Sequence, residues 1–235
     1  MNSNLIANML SLTLFVVALI IVVRSFYLYA RTPSHRLFIL GVSMTIISLT
    51  AIAGFAGDNI SSISLNVDWF NYIGQTVSFL FILLSLVGNS GRYLRSLTRW
   101  HVIVSSLLLI LLLLAPFLPP DFPDPAVIKS LLSGSRGVIS LIIFISYLSS
   151  FMKKENLFNL LMSGAFFLIS LGYFTIIPKY FQPNVVLDHV GDILRITGLL
   201  IFLVAILVGE PAHTPDEDRV RSARVLLAGH RQTQS

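Results

Sequence analysis

Leu187-Asp188-His189-Val190-Gly191-Asp192-Ile193-Leu194-Arg195 opens the last long apolar run of the chain, Ile196 to Val208. Ionised groups this close to a membrane-length segment are costly unless they are paired, solvated or used. On a helix, Asp188, Asp192 and Arg195 stand at i, i+4 and i+7 and share one face. Such a face looks into a helical bundle or a water-filled cavity, not at lipid. The stretch predicts a membrane bundle with a polar interior.

The rest of the composition agrees. The 235 residues are 55% hydrophobic and 11% charged, and the mean hydropathy is +0.83. An average soluble domain carries about 25% charged residues. The absence of Cys excludes disulfides, thiol nucleophiles, iron–sulfur clusters and thiolate metal sites. No cofactor is expected.

Seven stretches are long enough to cross the hydrocarbon core, which takes about 20 residues each: Asn4–Tyr29, Leu37–Ala56, Trp69–Ser90, Trp100–Leu118, Val127–Phe151, Leu157–Ile177 and Leu187–Val208. Short connections predict that consecutive helices run antiparallel, side by side. The fold expected is an all-α, integral membrane seven-helix bundle. Met1-Asn2-Ser3-Asn4 has no basic residue, Leu5 to Val23 is too long for a signal core, and Arg24 follows directly. The first span is therefore expected to stay uncleaved.

Lys and Arg counting sets the orientation. With the N-terminus outside, the inner segments hold Arg24, Arg31, Arg36, Arg92, Arg95, Arg99, Lys153, Lys154 and the four arginines of the tail. The outer halves and loops hold Lys129, Arg136, Lys179 and Arg195, with Asp58, Asp68, Asp121 and Asp124. The C-terminus is then cytoplasmic and the location the cell membrane. The net charge of +5 is a topology signal, and no nucleic-acid partner is expected.

Pro116–Pro125 and Pro178–Pro183 read as stiff outer turns. Leu107–Leu114 is apolar on every side, which places span four at the bundle edge, facing lipid. Residues 1–209 form the seven-span domain, and 210–235 a short cytoplasmic tail. Thr214-Pro215-Asp216-Glu217 is a capping box for an amphipathic helix at an anionic membrane surface. A frayed polar tail is the alternative.

Three spans carry polar stripes at helical spacing in their outer halves. Span three has Asp68, Asn71, Tyr72, Gln75 and Ser78; span five has Lys129, Ser133, Arg136 and Ser140, with Tyr147 further in; span seven has Asp188, Asp192 and Arg195. If they converge they form an outward-open chamber, with Asp68, Asn71, Tyr72, Gln75, Ser133, Arg136, Asp188, Asp192 and Arg195 as its ligand-binding residues. Otherwise they are interhelical hydrogen bonds and an Arg–Asp pair that fasten the helices, at about 0.6–2 kcal/mol each. Arg136 lies about 13 Å deep at 1.5 Å per residue. It needs an anion, and Asp192, shared with Arg195, is the expected one.

Ser133-Gly134-Ser135-Arg136-Gly137 permits close helix packing or a local break. His189 and Asp192, at i and i+3, could hold a divalent metal with Asp188 or Asp68. His35 and His101 are expected at the inner interface. Gly88-Asn89-Ser90-Gly91 matches the GxSG of rhomboid proteases, but no histidine lies at matching depth on a later span, and a loosened helix end is expected instead.

The order of spans, the outside N-terminus and the length resemble microbial rhodopsins, with Asp68-Trp69 similar to the start of their third helix and Leu187-Asp188 to the acidic position of their seventh. The position of the retinal-linked lysine is Asp192 here, which excludes a retinal Schiff base. Trp69-Phe70-Asn71-Tyr72-Ile73-Gly74 and the apolar run after it resemble the seven-span N-terminal region of bacterial sensor histidine kinases. That resemblance implies a sensor module acting through a separate partner, since no kinase follows Val208.

The function expected is a receptor-like or sensor-like module that binds a small polar or anionic ligand from outside. Its partners are the lipid bilayer and a cytoplasmic signalling protein. A small transporter or transporter subunit is the first rival and a membrane-embedded enzyme the second.

Overall fold

The computed structural model describes residues 3–59, 67–88, 90–114, 117, 125–182 and 185–208. They form seven long helices: α1 Ser3–Arg31, α2 His35–Asn59, α3 Val67–Val87, α4 Gly91–Leu114, α5 Pro125–Lys154, α6 Leu157–Ile176 and α7 Val185–Val208. All seven are long and apolar enough to cross a membrane, the architecture of a multi-pass membrane protein. A helix closes every backbone hydrogen bond within its own segment, which is what a lipid environment requires. The capping box at Thr214 and most of the loop Pro116–Pro125 lie outside the described residues.

Local chemistry sets the helix ends. Pro33 stops α1, and α5 begins on Pro125, where a missing N–H costs nothing. Between α5 and α6, Glu155 takes the left-handed conformation at φ 48°. Asn156 then caps α6, its side chain accepting from the Phe158 N–H at 2.9 Å. Ser90 caps α4 by accepting from the Tyr93 N–H at 3.2 Å. The helix therefore starts at Gly91 rather than near Trp100, and Ser90 is a capping residue. Past α6, a 3-10 turn over Ile177–Tyr180 carries Lys179 and Tyr180 back over the bundle.

The packing order departs from a simple succession of neighbours. α1 packs on α2, α2 on α3, α3 on α5, α5 on α6, α6 on α7, and α7 back on α1. This is a closed ring of six helices. α4 lies outside it, in the groove between α2 and α3. The expectation that α4 and α5 pack side by side is corrected: the inner partner of α5 is α3. The edge position of α4 agrees with its sequence. It buries only Leu94, Leu97, His101, Ser105 and Leu108, a single stripe at three- and four-residue spacing. Trp100, Leu107, Ile110 and Leu113 are exposed.

α6 and α7 make the closest approach. A Cβ on Gly172 would lie 2.7 Å from the Gly191 carbonyl oxygen, and one on Gly198 2.7 Å from that of Ala165. Ala165 and Gly172 are two turns apart, as are Gly191 and Gly198, so the small residues pair along an antiparallel seam. Van der Waals contact of this kind drives association where lipid cancels the hydrophobic effect. In α5 the helix is unbroken through Gly134 and Gly137, and a Cβ on Gly137 would meet the Phe174 ring at 3.0 Å. Close packing is the use of Gly137, while a Cβ on Gly134 would make only an ordinary contact with Ile177 at 3.7 Å. The middle of the ring is filled by Phe79, Phe166, Phe202, Met44 and Met162, all buried. Phe79 meets Phe166 edge-on at 6.4 Å and Tyr173 at 5.7 Å.

Candidate functional site

Above that aromatic layer the ring opens into a cavity of about 270 Å³ at the end of the bundle that carries Lys179. Its walls come from α1, α2, α3, α5, α6, α7 and the 3-10 turn. The order of the ring explains this convergence: α3, α5 and α7 start from this end, so their polar stripes face one space.

Arg136 stands in the wall and is only 3% exposed. Its Nη1 donates to Gln75 Oε1 at 2.5 Å, and its Nε to the carbonyl oxygen of Leu132 at 3.1 Å. The guanidinium carbon lies 4.6 Å from the Tyr173 ring centre and 5.0 Å from that of Tyr72. A cation near ring faces gains from their negative quadrupole, more so away from water. Among the described residues Arg136 has no ion-pair partner. The expected Arg136–Asp192 pair is therefore corrected. In the ring α6 stands between α5 and α7, and Asp192 is taken by Arg195 on its own helix.

Gln75 is the hub of the network. Its Oε1 also accepts from the Tyr173 hydroxyl at 3.0 Å. Its Nε2 donates to Thr50 Oγ1 at 3.0 Å and to Asn71 Oδ1 at 2.6 Å. Thr50 Oγ1 in turn donates to the Ile47 carbonyl oxygen. All four hydrogen-bonding positions of the amide are used, and its orientation is settled by its neighbours. Arg195 lies 5.1 Å from the Tyr173 ring, so one ring serves two guanidinium groups. At the mouth, Lys179 Nζ donates to Asp188 Oδ1 at 2.5 Å. The hydroxyls of Tyr72 and Tyr180 are 3.2 Å apart.

Of the residues singled out in the sequence, Asn71, Tyr72, Gln75, Arg136, Asp188, Asp192 and Arg195 line this one cavity. Ser133 does not; it is buried in the packing of α5, its hydroxyl without a partner among the described residues. The side chain of Asp68 lies outside the described residues. His189 is not in the wall, Asp188 and Asp192 are each engaged by a cation, and no group of three metal-ligating side chains occurs among the described residues. The metal reading of His189 with Asp192 finds no third ligand among the described residues.

Four contributors escaped the sequence reading: Thr50, Tyr173, Lys179 and Tyr180. Thr50 shares its span with Ser43, Thr45 and Ser48, and Tyr173 continues the stripe Asn159, Ser163 and Ser170 of α6 at helical spacing, a signal that could have found both. Lys179 and Tyr180 fall in a segment that reads as a turn. His101 stands near the middle of α4. It is fully buried, stacked on Phe81 at 4.2 Å, with Nε2 3.4 Å from Ser43 Oγ. Ser43 gives its single proton to the Ser78 carbonyl oxygen at 3.2 Å, so it accepts from His101. The contact is a packing bond, not an activated serine.

No protein-family model, no curated protein and no solved structure matches the chain.

Proposed function

We propose that this chain is a receptor-like or sensor-like module of the cell membrane, with its N-terminus outside and its C-terminus in the cytoplasm. It admits a small polar ligand to the cavity at Arg136 from the outer side and signals through a separate cytoplasmic partner. The observation that carries the reading is a buried guanidinium in a cavity wall with no carboxylate of its own among the described residues. A group of that kind defaults to function within a membrane bundle. The orientation rests on the basic residues at the other end of the bundle: Arg31, Arg36, Arg92, Arg95 and Lys154. The resemblance of Trp69–Gly74 to sensor regions points the same way.

The transporter reading needs a polar path onward from the cavity. Below it lie Phe79, Phe166 and Phe202. The deeper hydroxyls of Ser85 and Ser163 are spent on carbonyl groups of their own helices. This favours a receptor over a carrier.

The natural lack of cysteine supplies the test. A Gly54→Cys variant places a thiol in the cavity wall where an added Cβ meets nothing within 4 Å. A membrane-impermeant maleimide is expected to label it from outside and not from inside. Labelling from both sides would indicate alternating access and reject the receptor reading in favour of transport.

A further inference from the structure

We infer that the cavity takes a small monocarboxylate, seated against the open edge of the Arg136 guanidinium. This rests on the reading of the cavity as a ligand site, and adds the chemical class of the ligand.

The first ground is charge. The described lining residues include three cations, Arg136, Lys179 and Arg195, and two carboxylates, Asp188 and Asp192. Both carboxylates are occupied, Asp188 by Lys179 and Asp192 by Arg195. One positive charge is left, and it belongs to the most deeply buried group, Arg136. An ammonium or zwitterion finds no free acid among the described lining residues. A dianion brings one charge more than the lining offsets, and an uncompensated charge away from water is costly.

The second ground is shape. Tyr72 and Tyr173 lie against the guanidinium, Nε is spent on Leu132, and Nη1 has given one proton to Gln75. Nη2 has no partner among the described residues. The free donors are therefore one N–H of Nη1 and both of Nη2, enough for two bonds to a carboxylate. Two parallel N–H groups in a plane match the two oxygens of a carboxylate, whereas a halide uses them poorly. Asn71 adds a second donor group. Its oxygen is taken by Gln75, which leaves its amide protons for the cavity it lines. The space of about 270 Å³ sits just below the range of about 300–1,000 Å³ for drug-sized ligands.

The test uses the full chain in nanodiscs, with thermal unfolding as the readout. The probes are sodium propionate, propionamide as its neutral isostere, β-alanine as a zwitterion, and malonate as a dianion, with sodium chloride balancing ionic strength. Propionate is expected to raise the midpoint saturably, and the other three are not. Arg136→Lys keeps the charge and loses the planar fork, and should weaken propionate about tenfold. Asp188→Asn, at the partly exposed mouth, frees Lys179 and adds one net positive charge. Malonate should then gain about tenfold relative to propionate. If propionamide, β-alanine or malonate stabilises the unaltered chain as well as propionate does, the monocarboxylate assignment is overturned while the ligand site stands. If no probe acts on the unaltered chain or on Asp188→Asn, both fall. Should Arg136→Lys fail to fold, the Asp188→Asn comparison still decides.

Discussion

Arg136 on α5 and Gln75 on α3 share a hydrogen bond of 2.5 Å, and through it a buried cation is held by an amide oxygen rather than a carboxylate. An amide stabilises the cation through its dipole but leaves its net charge in place. A carboxylate would cancel that charge and leave little for a ligand to gain.

The first expected outcome concerns this pair. Gln75→Leu removes the acceptor of both Arg136 and the Tyr173 hydroxyl while keeping an apolar side chain of similar bulk. A hydrogen bond to a charged group is worth about 1.5–3 kcal/mol, and a stranded donor costs its desolvation. The variant should lose at least that much stability. A double-mutant cycle with Arg136→Met, read by thermal unfolding in detergent, should show coupling well above the about 0.5 kcal/mol seen between independent sites. The corresponding cycle between Arg136 and Asp192 should show much less. Equal coupling in the two cycles would contradict the network described here.

The seam between α6 and α7 gives a second outcome. Gly191→Ala places a Cβ 2.9 Å from the Gly172 carbonyl oxygen and against Ile176. Two backbones cannot yield as a flexible side chain can, so a loss of about 1–3 kcal/mol is expected. Gly164→Ala meets nothing within 4 Å on the same helix as Gly172. There the gain in helix propensity, about 0.8–1.0 kcal/mol, should dominate. Melting points of the two variants in one detergent check the opposite signs.

A third outcome concerns His101. Its Nδ1 is buried without a partner, and its ring stacks on Phe81. His101→Phe keeps a flat ring and removes the orphaned nitrogen, and Ser43 keeps its bond to Ser78. Stability should change by less than about 1.5 kcal/mol, as for volume-conserving swaps. A collapse of the fold would mean that the Ser43–His101 contact holds α4 in its groove.

The fourth concerns orientation. A reporter fused after Ser235 should be active only in the cytoplasm, and one inserted in 121–125 only outside, because Lys and Arg gather at the end of the bundle remote from the cavity. Both fusions reporting on the same side would break the proposed topology.

The sequence by itself determined the number of long apolar helices among the described residues, their limits to within a few residues at most ends, and the edge position of α4. These are local properties. Hydropathy over about 20 residues sets a span, and the 3.6-residue period assigns Asn71, Tyr72 and Gln75 to one face, and Asp188, Asp192 and Arg195 to another. What periodicity cannot say is which face meets which. The partner of Arg136 depended on α5 packing against α3 and α6, with α7 one place further round the ring. Read along the chain, Asp192 was the natural anion for Arg136, since opposite charges at similar depth attract. In the folded ring Arg195 claims Asp192 from one turn away, at a far smaller entropic cost than a partner on another helix. Thr50 and Tyr173 joined the site for the same reason: the helical period places each on a polar face with other uncharged groups but does not name what that face meets, and only the ring brings both within reach of Gln75.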